Sequence, residues 1–315
     1  MKKILITGGA GFIGFNLVKA LSEKYKITIV DDLSRGKKDN ELTAVLKKKN
    51  VNLIKINLRK QLKIKNNFDY VYHLAATVGV NNVIKDPIYT FRNNLESLFN
   101  IISFCKLKKK TKLIFFSTSE VYSPLIEKKL KNIFPLKENY DMLIKKKNIP
   151  RDSYYLSKLF SEKIIELSGL KYIIYRPHNI YGPRMGTSHV IPELINKIVK
   201  NKNSTVKIYS PSHKRVFCFI DDCIFQIIST CFKKKFLNQI INLGSTQKEI
   251  KIFDLAKIIN NFSHIKKILL HGPITSGSPK RRIPSLQKIL KEIKNYNQTK
   301  LVDGIKKTVD WYAND

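Results

Sequence analysis

Cysteine is scarce in this chain: four in 315 residues, Cys105, Cys218, Cys223 and Cys231, with no C-x-x-C pair and no zinc-like spacing. That excludes a disulfide scaffold and leaves buried, reduced thiols as the expectation. The six histidines have no metal-ligand spacing either, so no metal is expected. No apolar run is long enough to span a bilayer, and Met1-Lys2-Lys3 leads directly into a strand-like run. Membrane insertion and a signal segment are therefore not expected, and the protein reads as cytoplasmic. Internal repeats and low-complexity linkers are missing too. Acid is in short supply, with 24 Asp and Glu against 59 Lys and Arg and a formal net charge of +35. Such a charge ordinarily suggests nucleic acid. Yet only nine of the basic residues are arginine, and lysine runs such as 47–49 and 145–147 lack interleaved aromatics for base stacking. The favoured reading is a solvated lysine-rich surface that attracts anionic substrates, with nucleic acid not expected as a partner.

What is present begins with residues 1–32. Ile4-Leu5-Ile6 is a short buried-strand pattern that breaks into Thr7-Gly8-Gly9-Ala10-Gly11-Phe12-Ile13-Gly14. A helical pattern follows through Leu17, Val18, Ala20 and Leu21, and a second apolar run, Ile27 to Val30, ends in Asp31-Asp32. Strand, glycine turn, helix, strand and terminal acid form a dinucleotide-binding fingerprint. The glycines permit a tight turn and close approach to a pyrophosphate, and the helix N-terminus points N–H groups at the phosphates. Asp31 can accept from both ribose hydroxyls and would repel a 2′-phosphate, so NAD is expected rather than NADP.

Strand and helix patterns continue to alternate. Strands are predicted at Val51–Ile56, Tyr70–Leu74, Lys112–Phe116 and Tyr172–Tyr175, with helices over Pro87–Phe104 and Asp152–Ser168. Ser123 to Arg151, with Pro124, Pro135 and Pro150, reads as a loop over the site. Beyond Arg176 the rhythm is less regular: a helix over His189–Asn201, a strand at Val216–Ile220, Asp221-Asp222 as a cap for a helix over Cys223–Phe232, a strand at Ile240–Leu243, and three further helices. At 43% hydrophobic, the chain can bury one large domain and a smaller lobe. The expected fold is α/β, a Rossmann-type doubly wound parallel sheet over 1–176 with returns at about 213–245, and a smaller discontinuous lobe over 177–212 and 246–315 that takes the substrate.

Tyr154 and Lys158 lie one helical turn apart on one face. A neighbouring ammonium favours phenolate, and oxidised nicotinamide adds positive charge, so Tyr154 can act as a base on a sugar hydroxyl near neutral pH. Together with the fingerprint and a Ser/Thr-rich strand end, the pair makes the chain resemble the extended short-chain dehydrogenase/reductases of the nucleotide-sugar epimerase/dehydratase family. The resemblance covers nearly the whole length. It rests on Thr7–Gly14, Asp31, His73-Leu74-Ala75-Ala76, Asn94, Ser117–Tyr122, Tyr154-x-x-x-Lys158, Arg176–Pro183, and Arg215-Val216-Phe217 before Asp221-Asp222. It implies Thr118 as the triad hydroxyl, Tyr154 as the base and Lys158 as its partner. Leu74, Ala75, Ala76 and Asn94 would line the cofactor, and Asn179 and Arg215 would hold the substrate diphosphate. Asn57 stands where the family usually has aspartate near the adenine, and Ser123 replaces the usual glycine after Val-Tyr. A homodimer through the Pro87–Phe104 and Asp152–Ser168 helices is also implied.

The chemistry so implied oxidises the sugar at C4 to a 4-keto intermediate with NAD recycled. A ketone there acidifies C5 and makes a C6 carboxylate a β-keto acid. The order Thr118-Ser119-Glu120 resembles UDP-glucuronate decarboxylases and also GDP-mannose dehydratases, whereas simple 4-epimerases usually carry a small residue where Glu120 stands and dTDP-glucose-type dehydratases place Asp between Thr and Glu. Pro150-Arg151 and Arg282-Ile283-Pro284-Ser285 lean towards the decarboxylases, an arginine reaching the sugar carboxylate. A UDP-glucuronate decarboxylase-like enzyme is the first expectation, a 4-epimerase the second and a 4,6-dehydratase the third. Outside enzymes, the alternative is an NAD-binding scaffold that holds nucleic acid through its lysines.

Overall fold

The computed structural model describes residues 1–108, 110–128, 132–201, 203–275, 277–293 and 296–314. In chain order the first elements are β1 (Lys3–Thr7), α1 (Phe12–Leu21), β2 (Lys26–Asp31), α2 (Asn40–Leu46), β3 (Val51–Lys55), β4 (Tyr70–His73), α3 (Val80–Lys85), α4 (Pro87–Leu107) and β5 (Lys112–Phe116). Then come α5 (Ser123–Glu127), α6 (Asp152–Leu167), β6 (Tyr172–Pro177), β7 (Ile180–Tyr181), α7 (Val190–Ile195), β8 (Thr205–Ile208), β9 (Lys214–Arg215), β10 (Cys218–Phe219), α8 (Ile220–Cys231) and β11 (Gln239–Leu243). The chain closes with β12 (Ile250–Lys251), α9 (Ile252–Asn261), β13 (Ile268–His271), α10 (Gln287–Ile293) and α11 (Leu301–Asn314).

A seven-stranded sheet runs β11-β6-β5-β4-β1-β2-β3. Every register from β6 across to β3 is parallel. Parallel strands are covered on both faces, which is why Ile4, Leu5 and Ile6 form an uninterrupted apolar run with no exposure. Strand order reverses between β1 and β4, the point in such sheets where ligands settle beyond the strand ends. The glycine turn follows β1 and Leu74-Ala75-Ala76 follows β4, so both border that point. A core of Leu5, Val30, Val71, Leu98, Leu113, Phe115, Ile165 and Ile174 joins the sheet to α4 and α6.

By internal contacts the chain forms two compact units. One comprises Met1–Val121, Ile144–Arg176 and Ile227–Ile241; the other comprises Tyr122–Leu143, Pro177–Gln226 and Asn242–Asp315. The second unit carries three small strand pairs, β7 with β10, β9 with β12 and β8 with β13. All four cysteines are buried and unbridged. Burial pushes the Cys105 and Cys231 thiols up to about 12, which keeps them protonated and inert at neutral pH.

Three local readings differ from the sequence patterns. The helix expected to be capped by Asp221-Asp222 starts earlier, at Ile220, so both acids lie in its first turn. Asp222 instead accepts from the Tyr296 hydroxyl and from the backbone and hydroxyl of Thr299. The segment expected to be a loop after Tyr122 opens with α5, and its residues 129–131 lie outside the described residues. The helix expected over His189–Asn201 is α-helical only to Ile195 and continues as a π-helical turn over Asn196–Lys200.

Candidate functional site

The turn after β1 is built so that main chain can approach a ligand closely. Gly8 has φ +70°, and a Cβ there would lie 2.7 Å from the Ala75 nitrogen. At Gly14 a Cβ would fall 2.1 Å from the Gly8 carbonyl oxygen, so the first turn of α1 can pack on the loop only without a side chain. Gly11 is the N-cap and supplies no side chain to the helix terminus, so the N–H groups past Phe12 and Ile13 are not capped from within that position. Asp31, at the end of β2, accepts from the Ala10 nitrogen at 3.0 Å and the Leu33 nitrogen at 2.9 Å. Both carboxylate oxygens are thereby fixed beside the glycine turn. Asp32 closes a local turn by accepting from the Ser34 nitrogen and hydroxyl, and Asn57 does the same for the Arg59 nitrogen.

Asn94 of α4 accepts from the Thr77 nitrogen at 2.7 Å and donates to the Thr77 carbonyl and the Ser157 hydroxyl. It thereby ties the backbone after Leu74-Ala75-Ala76 to the helix that carries Tyr154. These features fit NAD: a glycine cradle, a helix terminus free of a side-chain cap, and an acid at the end of β2.

Thr118 and Ser119 follow β5, and Glu120 sits in a 3-10 turn over Ser119–Tyr122 with its nitrogen donating to the Thr118 hydroxyl at 3.2 Å. The start of α6 is held by Asp152, whose carboxylate accepts from the Ile149 nitrogen and the Lys145 ammonium, each at 2.9 Å. On α6, Tyr154 is half-buried while Lys158 is buried at 3% exposure. The Lys158 ammonium donates to the Phe116 carbonyl at 2.8 Å and lies 4.6 Å from the Phe115 ring centroid. Burial lowers its pKa to about 7, and the Glu162 carboxylate opposes that shift. His73 is pushed down to about 3 by burial and by the Lys158 charge, so it is a neutral imidazole, bonded through Nδ1 to the Thr7 hydroxyl at 2.8 Å. Arg151, three residues before Tyr154, donates to the Glu120 carboxylate at 3.3 Å.

Glu162 belongs to none of the motifs that mark the site in the sequence. It lies one turn beyond Lys158, fully buried, bridged by the Arg176 guanidinium through Nε at 2.9 Å and Nη2 at 2.6 Å, and bonded to the Ser117 hydroxyl at 2.5 Å. The available signal was an acid four residues after Lys158, with an arginine in an otherwise apolar strand.

In the second unit, Asn179 has φ +46° and donates to the Val216 carbonyl at 2.9 Å. Arg215 on β9 donates to the Lys214 and Lys280 carbonyls and to the Ser278 hydroxyl, which also meets His213 Nδ1 at 3.2 Å. Burial, then Arg215 and Lys280, lowers the His213 pKa, which keeps that ring neutral among cations. Arg282 is buried; the segment after it is pinned by hydrogen bonds from the Leu136 nitrogen to the Ile283 carbonyl and from the Ser285 nitrogen to the Leu136 carbonyl. Among the described residues no His, Cys, Asp and Glu cluster could hold a metal, and no helix is long and apolar enough to cross a membrane.

Known proteins resemble this chain in sequence and in fold. The pattern of the NAD dependent epimerase/dehydratase family matches residues 4–244. A UDP-N-acetyl-alpha-D-glucosaminuronate decarboxylase of Bacillus cytotoxicus is 31% identical, covering 99% of this chain and 98% of the relative. A dTDP-D-glucose 4,6-dehydratase of Dictyostelium discoideum is 35% identical over 84% of this chain and 62% of its own length. Among solved structures, a UDP-N-acetylglucosamine 4-epimerase from Methanobrevibacter ruminantium, in complex with UDP-N-acetylmuramic acid, superposes with TM-score 0.82 at 28% identity, covering 99% and 98% of the two chains. Fold, glycine cradle and whole-length similarity agree: the chain belongs to the NAD-dependent epimerase/dehydratase family, enzymes that modify nucleotide sugars with NAD as cofactor.

Proposed function

We propose that this enzyme decarboxylates a nucleotide-linked uronic acid, in the manner of a UDP-glucuronate decarboxylase. The observation that carries the reading is the Arg151–Glu120 pair, a guanidinium held against a carboxylate within one turn of Tyr154 and two residues from Thr118. Guanidinium and carboxylate match as planar partners, so an arginine there can take a sugar carboxylate as it takes Glu120. NAD, when bound, supplies the reversible two-electron acceptor for C4. Tyr154, supported by Lys158 and Thr118, takes the O4 proton and leaves a ketone at C4. That ketone is β to the C6 carboxylate; the C5–C6 bond breaks with its electron pair drawn toward the ketone, CO₂ leaves, and C5 takes a proton under the control of Glu120, with Ser119 beside it. Return of the proton from Tyr154 to O4 accompanies reduction of C4 to a pentose. Asn179 and Arg215 hold the diphosphate, Arg282 assists with the carboxylate, and Gly8–Gly14, Asp31, Asp32, Asn57, Leu74–Ala76 and Asn94 form the cofactor side.

A screen of UDP-glucuronate, UDP-N-acetylglucosaminuronate, UDP-glucose, UDP-N-acetylglucosamine, GDP-mannose and dTDP-glucose by mass and NMR tests this. Release of CO₂ from a uronate is the expected outcome, falling at least about tenfold in Arg151→Lys and in Arg282→Lys with NAD still bound. Unchanged mass with inversion at C4 would instead establish the second reading, a 4-epimerase, which the similarity to the archaeal 4-epimerase favours. Loss of water would establish a dehydratase.

We further propose a homodimer through α4 and α6. The two helices pack on each other, with Phe91 and Phe160 edge to face at 6.0 Å, and leave Ile88, Phe99 and Phe160 exposed in one unit.

A further inference from the structure

Lys158 is enclosed by groups that oppose or support its charge. β5 contributes the Phe116 carbonyl and the Phe115 ring, β4 the neutral His73, and α6 itself Tyr154 one turn before and Glu162 one turn after. Burial works against the ammonium, and the charge that works for it is Glu162. That carboxylate is fully buried and cannot swing, because the Arg176 guanidinium bridges both its oxygens and the Ser117 hydroxyl bonds Oε1. Both anchors come from the first unit, Ser117 directly after β5 and Arg176 within β6.

We propose that Glu162 is a positioning residue of this site, an anion clamped by Arg176 and Ser117 that favours the charged form of Lys158 on the helix that carries Tyr154. The geometry requires a fixed carboxylate. A free acid one turn away would rotate toward solvent or onto the nearest cation, whereas a clamped one keeps its field on Lys158. Arg176 neutralises the buried acid, which makes an anion tolerable there at all. The proposal builds on the reading of Tyr154 as base with Lys158 as its partner, but its test does not depend on that reading or on the substrate.

Full-length protein labelled with carbon-13 at lysine Cε is titrated by NMR, the Lys158 signal being the one absent from Lys158→Met. In the wild-type chain this signal titrates near pH 7, apart from the solvated lysines. Glu162→Gln lowers that titration by about one pH unit or more, and Glu162→Asp returns it most of the way. Because Glu162→Gln leaves Arg176 without a countercharge, the charge-balanced Glu162→Gln/Arg176→Gln variant is measured alongside, and it shows a smaller fall in the same direction. A Lys158 titration unchanged in the double variant overturns the proposal, since the pair would then serve packing alone.

Discussion

Lys158 donates to the Phe116 carbonyl from a position almost wholly shielded from water, and its pKa of about 7 lies below the value of about 10.4 in an unfolded chain. Between those two values the native state binds fewer protons than the unfolded state, so this residue's contribution to stability grows as pH rises through the window. It is fully present above about pH 10.4 and lost as pH falls through about 7. Lys158→Met removes the penalty of burying a cation; its gain over the wild type is therefore largest at about pH 6 and shrinks by about pH 9. Urea denaturation of both proteins at the two pH values checks this, and an equal difference at both would contradict it. At this scale a Tyr and a Lys four apart were visible in the sequence because helical spacing is local. The Glu162–Arg176 bridge was not, since nothing in sequence says that β6 passes behind α6. Asp31 was visible as an acid at a strand end, but its bonds to the Ala10 and Leu33 nitrogens belong to the folded loop.

At the scale of elements, the first turn of α1 is where sequence and packing agree most tightly. Gly14→Ala would drive a methyl to 2.1 Å from the Gly8 carbonyl oxygen, a backbone atom that cannot move aside cheaply. The expected result is a loss of about 1–3 kcal/mol in stability and of most retained NAD, read by thermal melting and by nucleotide released on denaturation. Retention of wild-type NAD would show that the loop opens without cost. Helix starts were harder to place. Asp221-Asp222 reads as a cap by composition, but α8 begins at Ile220 because Asp222 is drawn to Tyr296 and Thr299, over seventy residues away in sequence. Likewise, the stretch around Leu136 appeared as loop, yet Asn242 gathers it: its side-chain nitrogen donates to the Leu136 and Ser285 carbonyls, and its oxygen accepts from the Tyr122 hydroxyl.

For the whole molecule, the proposed dimer makes a measurable claim. Light scattering should give twice the chain mass, and Phe160→Lys, a charge placed on an exposed apolar position of α6, should give the monomer with the fold retained. A wild-type monomer would remove the dimer from the account. The net charge of +35 is carried by a chain of the NAD-dependent epimerase/dehydratase family, and a field of that sign attracts anions in general.

By itself, the sequence determined the order of the strands β1 to β5 and the helices α1, α4 and α6, the dinucleotide fingerprint and the Tyr154–Lys158 pair. Each rests on contacts within a few residues, where periodicity and glycine sterics act directly. The tertiary structure alone decided which polar groups meet inside the protein. Asn94 with Ser157, Arg151 with Glu120, and Glu162 with Ser117 and Arg176 come from separate elements brought together by the sheet order. Their charges and pKa values follow from burial, which exists only once the core has closed.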